Sequence, residues 1–207
     1  MEDRTLLVTA YWRTNLTMRQ LAPLFGISKS AADRIIDHLG PMLALQSRKR
    51  FAKDAVLIVD GTLVPTRDHT IAERSKNYRY STNHQVVIDA DIRLVVVVGR
   101  PLAGNRNDCK AWGESGAKAA VGKTPRSPTV DTQAPDSSSP TANAPGAPLL
   151  KGEEEDNAQH RKVRARVEHT FSRTKNYKIL RDCRQRGDGL HHAVQAVARM
   201  HNLALVA

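Results

Sequence analysis

Six prolines fall within the 24 residues from 125 to 148, PRSPTVDTQAPDSSSPTANAPGAP, and Ser, Thr and Ala make up most of the remainder. Proline has no backbone N–H to donate and is excluded from helix interiors and central strands. No core can be threaded through such a stretch, so the apolar segments of the chain divide into a part before it and a part after it. Composition of this kind reads as a linker.

The part before it opens helical over residues 1–47. Glu2 to Trp12 suits a first helix. Thr17 is a good N-cap for a second, with Met18, Leu21, Ala22 and Phe25 on its apolar side. Gly26-Ile27-Ser28 supplies a turn, and Lys29 to Leu39 follows with Ala32, Ile35, Ile36 and Leu39 on one face. The other face carries Lys29, Ser30, Asp33, Arg34 and Asp37. This is either a helix-turn-helix, whose second helix enters a major groove with Lys29, Ser30 and Arg34 in contact with DNA, or a plain helical hairpin packed on the larger domain.

Residues 55–121 change period. Ala55 to Val59 is a continuous apolar run ending in Asp60-Gly61, the pattern of a buried strand. Gln85 to Asp89 and Leu94 to Gly99 are β-branched runs that read as a hairpin, and Asn107 to Ala120 suits a helix. Strand, connection, hairpin and helix together point to a mixed α/β or α+β domain. After the proline-rich stretch, residues 155–206 read as helical and start very basic.

Charge decides the class of partner. The chain has 32 Lys and Arg against 21 Asp and Glu, a net charge of +11, and its pI is near 10.1. That balance favours a polyanion, nucleic acid before a membrane surface. The apolar runs, Leu94 to Val98 among the longest, are too short to span a bilayer, and the N-terminus MEDRTLL lacks the pattern of a signal peptide. Cys109 and Cys183 have no metal-ligand spacing and fit a reducing cytoplasm better than a disulfide framework.

Two carboxylates stand out. Asp60 is either half of an ordinary Asp-Gly turn or a ligand at a strand end. Glu168 lies in HRKVRARVEHTFSR, and from Arg161 to Arg186 there are ten Arg or Lys and two acids, Glu168 and Asp182. Glu168 either pairs with Arg161 or Arg164 at helical spacing, or binds a metal among phosphate-binding cations. Metal-assisted phosphodiester cleavage needs both kinds of group. The acidic run Lys151 to Asp156 reads as a solvated face, and His191 and His192 as an exposed helix start.

Four long blocks carry a resemblance: IVDGT at 58–62, DHTIAERSKNYRYSTNHQVVIDA at 68–90, GRPLAGNRNDCKAW at 99–112 and HRKVRARVEHTFSRTKNYKILRDCR at 160–184. With the closing GLHHAVQAVARMHNLAL they resemble the DDE superfamily endonucleases of bacterial insertion sequences. The resemblance implies an RNase H-like mixed sheet over 55–207, an N-terminal all-α helix-turn-helix over 1–47 and C-terminal helices. It implies cleavage and strand transfer at insertion-sequence ends by three carboxylates that bind Mg²⁺ or Mn²⁺. Asp60 matches the first aspartate and Glu168 the final glutamate. Asp108 matches a position after the third strand, with a supporting role or that of a helix N-cap. Lys76, Arg79, Arg161, Lys162, Arg164, Arg166 and Arg173 are the phosphate contacts this reading suggests. The resemblance also implies a bacterial cytoplasmic, nucleoid-associated protein, with double-stranded DNA, as terminal repeats and target, and further copies of the chain as its expected partners.

The second aspartate of the family belongs to a V-A-D-G-G-Y-type segment, and the proline-rich stretch stands in its place. The genetic code offers a reason. Joining the first two codon bases of each residue to the third base of the residue before permits V-A-D-G-G-Y-x-G-T-G-L-V-I-P-H-R from Ser127 to Ala142. The aspartate codon would straddle Pro128 and Thr129. Two compensating frameshifts, near Thr124 to Arg126 and near Ala147 to Pro148, would have replaced the segment. The expectation is a transposase by lineage that no longer cuts; the alternative is a catalytically dead DNA-binding protein that interferes with intact transposase.

Overall fold

A computed structural model describes residues 2–48, 50–52, 55–122, 126–128, 165 and 168–206. Three helices open the chain: α1 (Glu2–Thr14), α2 (Met18–Leu24) and α3 (Lys29–Leu43). The N–H of Thr17 donates to Gln20 Oε1 at 3.1 Å, which fixes the start of α2. Gly26 turns the chain at φ 62°, a left-handed conformation open to glycine. Ser28 then caps α3, its Oγ accepting from the N–H of Ala31 at 3.2 Å. The helix-turn-helix pattern therefore forms as expected, although α3 runs past Leu39 to Leu43 with Pro41 in its last turn.

The sheet has five strands: β1 (Leu57–Pro65), β2 (Ser81–Asp89), β3 (Val95–Val98), β4 (Leu102–Ala103) and β5 (Arg126–Pro128). The order is β3-β2-β1-β5, with β4 beside β2. β1, β2 and β3 are antiparallel neighbours, while β5 runs parallel to β1.

Three expectations need correction here. The proline-rich stretch does supply a ladder partner, because Arg126, Ser127 and Pro128 pair with Leu57, Ile58 and Val59. Among the described residues β5 stands at the end of the order β3-β2-β1-β5, a position where proline is tolerated. Second, β2 begins at Ser81, four residues before Gln85, and all nine of its residues are buried. Polar residues can occupy this central strand because they bond one another: Thr82 Oγ1 lies 3.0 Å from His84 Nε2, and Asn83 and Gln85 donate to Asp108. Third, the helix expected over Asn107–Ala120 is two helices, α4 (Asp108–Glu114) and α5 (Ala117–Val121), broken where Gly116 takes φ 78°.

After β5 the described chain contains helical residues 168–174 (α6), a short turn at Lys178–Leu180 and α7 (Asp188–Val206). α7 buries Leu190, Val194, Val197 and His201 at helical spacing. His191 is buried too, contrary to the exposed helix start read from the sequence. Two apolar clusters sandwich the sheet. On one face Ile58, Val64, Val86 and Ile88 meet α7 and the N-terminal helices; on the other Leu57, Val59, Val87 and Val97 meet α5 and Trp112 of α4. The N-terminal helices are thus fused to the sheet domain through one core. Leu45 N–H donates to Gln195 O of α7 at 3.2 Å, and Trp12 is fully buried beside Gly40.

Candidate carboxylates and nucleic-acid interface

Strand alternation sorts the candidate carboxylates. In β1, Ile58, Asp60, Thr62 and Val64 share the face covered by α7, and Gly61 points to the other. Thr62 and Val64 line a small apolar cavity with Thr170, Phe171 and Thr174, so α6 lies over the Asp60 face. Glu168 is exposed at the start of the described part of α6. The fold therefore brings Asp60 and Glu168 to one side of the sheet.

Asp60 is half-buried, and its Oδ1 accepts from the N–H of Gly61 at 2.8 Å. Asp108 sits on the opposite face. Its Oδ1 accepts from Asn83 Nδ2 at 2.9 Å and from Gln85 Nε2 at 3.0 Å, and it lies against Gly61. Asn107, not Asp108, caps α4, accepting from Lys110 N–H at 2.9 Å. Asp108 is held as an acceptor for two buried amides below the strand.

Cations surround these elements. Lys29, Ser30 and Arg34 are exposed on α3; Lys76 and Arg79 are exposed in the connection between β1 and β2; Arg173 is exposed on α6. Arg161, Lys162, Arg164 and Arg166 lie outside the described residues, as do Lys151 to Asp156. No helix among the described residues is long and apolar enough to cross a membrane.

The sequence reading missed a set of ties around the connector 182–187. Asp182 accepts a bidentate pair from Arg67, at 3.0 and 2.6 Å, and this bond holds its carboxyl below the usual range. Asp68 is buried and takes hydrogen bonds from Thr70 Oγ1 at 2.6 Å and Gly187 N–H at 2.8 Å, which lower its pKa as well. Burial pushes the Cys183 thiol up to about 12. The basic run through Arg184 and Arg186 was visible in the sequence, but its partner segment 65–68 lies over a hundred positions earlier.

Two family models match the chain. Residues 1–49 match the model of the helix-turn-helix of DDE superfamily endonuclease. Residues 59–202 match the model of DDE superfamily endonuclease itself.

The chain belongs to the DDE superfamily endonucleases.

A relative from Streptomyces albus G, named "Putative transposase for insertion sequence element IS112", is 75% identical over 206 residues, covering 99% of this chain and 80% of the relative. No solved structure matches the chain. DDE superfamily membership makes the chain an enzyme of DNA by family, with divalent metal ions as the cofactor class. The carboxylates described here do not by themselves make such a centre. Among the described residues no group of three or more His, Cys, Asp or Glu is gathered to hold a metal ion. Asp60 and Glu168 share a side of the sheet, and Asp108 is turned away beneath it.

Proposed function

We propose that this chain is a DDE transposase by descent that still binds insertion-sequence DNA but has lost strand cleavage. The observation that carries the reading is the register of β5. Its parallel pairing with β1 reaches Val59↔Pro128, one residue before Asp60. The next residue in sequence is Thr129, the place where the shifted reading frame would spell the family's second aspartate. A carboxylate at that position of the family segment would be the ligand that shares a metal with Asp60. A threonine cannot replace it, because a neutral hydroxyl is a weak ligand for a hard divalent cation. A clamp on both attacking and leaving oxygens needs the shared third ligand.

The antiparallel triplet, the parallel outer strand and helices on both faces support an RNase H-like core over 55–207, with 1–47 as the DNA-binding region. Binding survives the loss of cutting because its groups are elsewhere. α3 presents Lys29, Ser30 and Arg34 to solvent, where a recognition helix meets base edges and phosphates. Such a protein occupies terminal repeats without processing them and so competes with intact transposase. One preparation tests both halves: a mobility shift of duplex DNA carrying a terminal repeat, with no cleavage of the same duplex when Mg²⁺ is added. Cleavage that tracks the bound fraction contradicts the reading.

A further inference from the structure

We propose that the connector Arg184–Gln185–Arg186, from the endonuclease half of the chain, forms a second wall of the duplex-DNA groove beside α3. The proposal rests on the reading of α2 and α3 as the DNA-binding pair. An open cleft of about 730 Å³ separates the starts of α2 and α3 from this connector. Its cations are Arg19 and Lys29 on the helix side and Arg184 and Arg186 on the connector side; Asp33 and Asp37 project from α3 into the same space. Among the described residues no ion pair joins these four cations to Asp33 or Asp37, and Arg19, Lys29 and Arg186 are in no ion pair there, while Arg184 is paired in part with Asp182. Arg184 Nε lies 3.8 Å from Asp182, whose carboxylate is already engaged by Arg67.

The other flank of α3 matches. A second cleft of about 490 Å³ runs between α1 and α3 and carries Arg4, Arg34 and His38. α3 is therefore a ridge with guanidinium groups on both sides, as expected of a helix lying in a major groove between two phosphate backbones. Asp33 and Asp37 on the ridge are acceptors for cytosine or adenine amino groups.

The connector is fixed on both sides before any DNA arrives. Cys183 N–H donates to Pro65 O at 2.8 Å, and Arg67 N–H to Cys183 O at 3.0 Å. Asn15 Nδ2 donates to Asp182 O at 2.8 Å, and Gly187 N–H to Asp68 Oδ2 at 2.8 Å. A backbone held this way loses little further freedom on binding, which favours phosphate contact. The sheet domain thereby takes part in the grip of the helix-turn-helix and fixes DNA relative to the Asp60 face.

The test uses the full chain and a fluorescent mixed-sequence duplex of about three helical turns, with affinity measured from ~50 to ~200 mM salt. Arg186→Ala should weaken binding and lower the slope of log Kd against log salt by about one, and Arg184→Ala with Arg186→Ala by about two. Arg186→Lys should keep most of the slope. Arg93→Ala is the control: its hairpin adjoins Val95, bonded to Asn202 near the far end of α7, away from the connector. It should leave the slope unchanged. Thermal melting shows that each variant is folded. If Lys29→Ala and Arg34→Ala weaken binding while the connector variants do not, the connector proposal falls alone. If the native chain shows no salt-dependent binding, the reading of α3 falls and this proposal with it.

Discussion

The carboxylate of Asp108 closes onto the backbone of Gly61, the residue next to Asp60. A β-carbon at Gly61 would collide with Asp108 Oδ1 and stand 2.9 Å from Gln85 Nε2. Glycine is required here for close approach of a side chain, not for an unusual φ. The contact ties α4 to the strand that presents Asp60.

Gly61→Ala should therefore destabilise the fold by about 1–3 kcal/mol, the range for overpacking a filled site. Asp108→Ala should cost a similar ~1–3 kcal/mol, since it removes one hydrogen bond from each of the amides of Asn83 and Gln85, which keep Arg106 O and Asn83 Oδ1 as acceptors. The double variant should be less unstable than the sum, because the collision disappears with the carboxylate. Urea unfolding of the four proteins measures this. Strict additivity would show that Gly61 and Asp108 are not in contact.

DNA affinity should depend on α3 rather than on α1. Arg34 is exposed on the outer face of α3, whereas Arg13 lies over the ring of Tyr177 at 5.0 Å. Arg34→Ala should weaken duplex binding several-fold and reduce its salt dependence, and Arg13→Ala should change either much less. Fluorescence anisotropy reads the difference; equal effects would remove α3 from the interface.

Stability should fall as pH drops below neutrality. Burial holds the His84 imidazole down to about 3 and His191 down to about 4, the latter also opposed by the charge of Arg100. Both are neutral in the folded chain, while unfolded histidine protonates near 6.5. The unfolded state therefore gains protons first, and stability is lost between about pH 6.5 and 4, by up to ~1.4 kcal/mol per pH unit for each histidine. The thermal midpoint should drop across that window, and less steeply in His84→Gln. A slope unchanged in His84→Gln would mean that His84 is not buried and neutral.

Much of this was legible in the sequence because it is local. Thr17, Gly26 and Ser28 mark the helix-turn-helix by capping and turn chemistry that needs no distant partner. The apolar run before Asp60 marks β1 in the same way. The start of β2 was hidden, because Ser81 to Gln85 are polar: Thr82 and His84 bond each other, and Asn83 and Gln85 bond Asp108, over twenty positions later. His191 was misread because its burial depends on the sheet beneath α7. The pairing of Pro128 with Val59 ran against proline's ordinary exclusion from central strands, and among the described residues its strand stands at the end of the order. The ties from 65–68 to 182–187 join segments with no sequence signal in common.

Cleavage is the most direct test of the central claim. The full chain and a version with the shifted frame restored between Thr124 and Pro148 should be incubated with Mg²⁺ and plasmid DNA bearing an insertion-sequence end. The present chain should bind without cutting. The restored chain should cut, and Asp60→Ala or Glu168→Ala within it should abolish the gain. Metal-dependent cutting by the unrepaired chain, abolished by Asp60→Ala, would contradict the account and place a complete set of ligands in the protein as it stands.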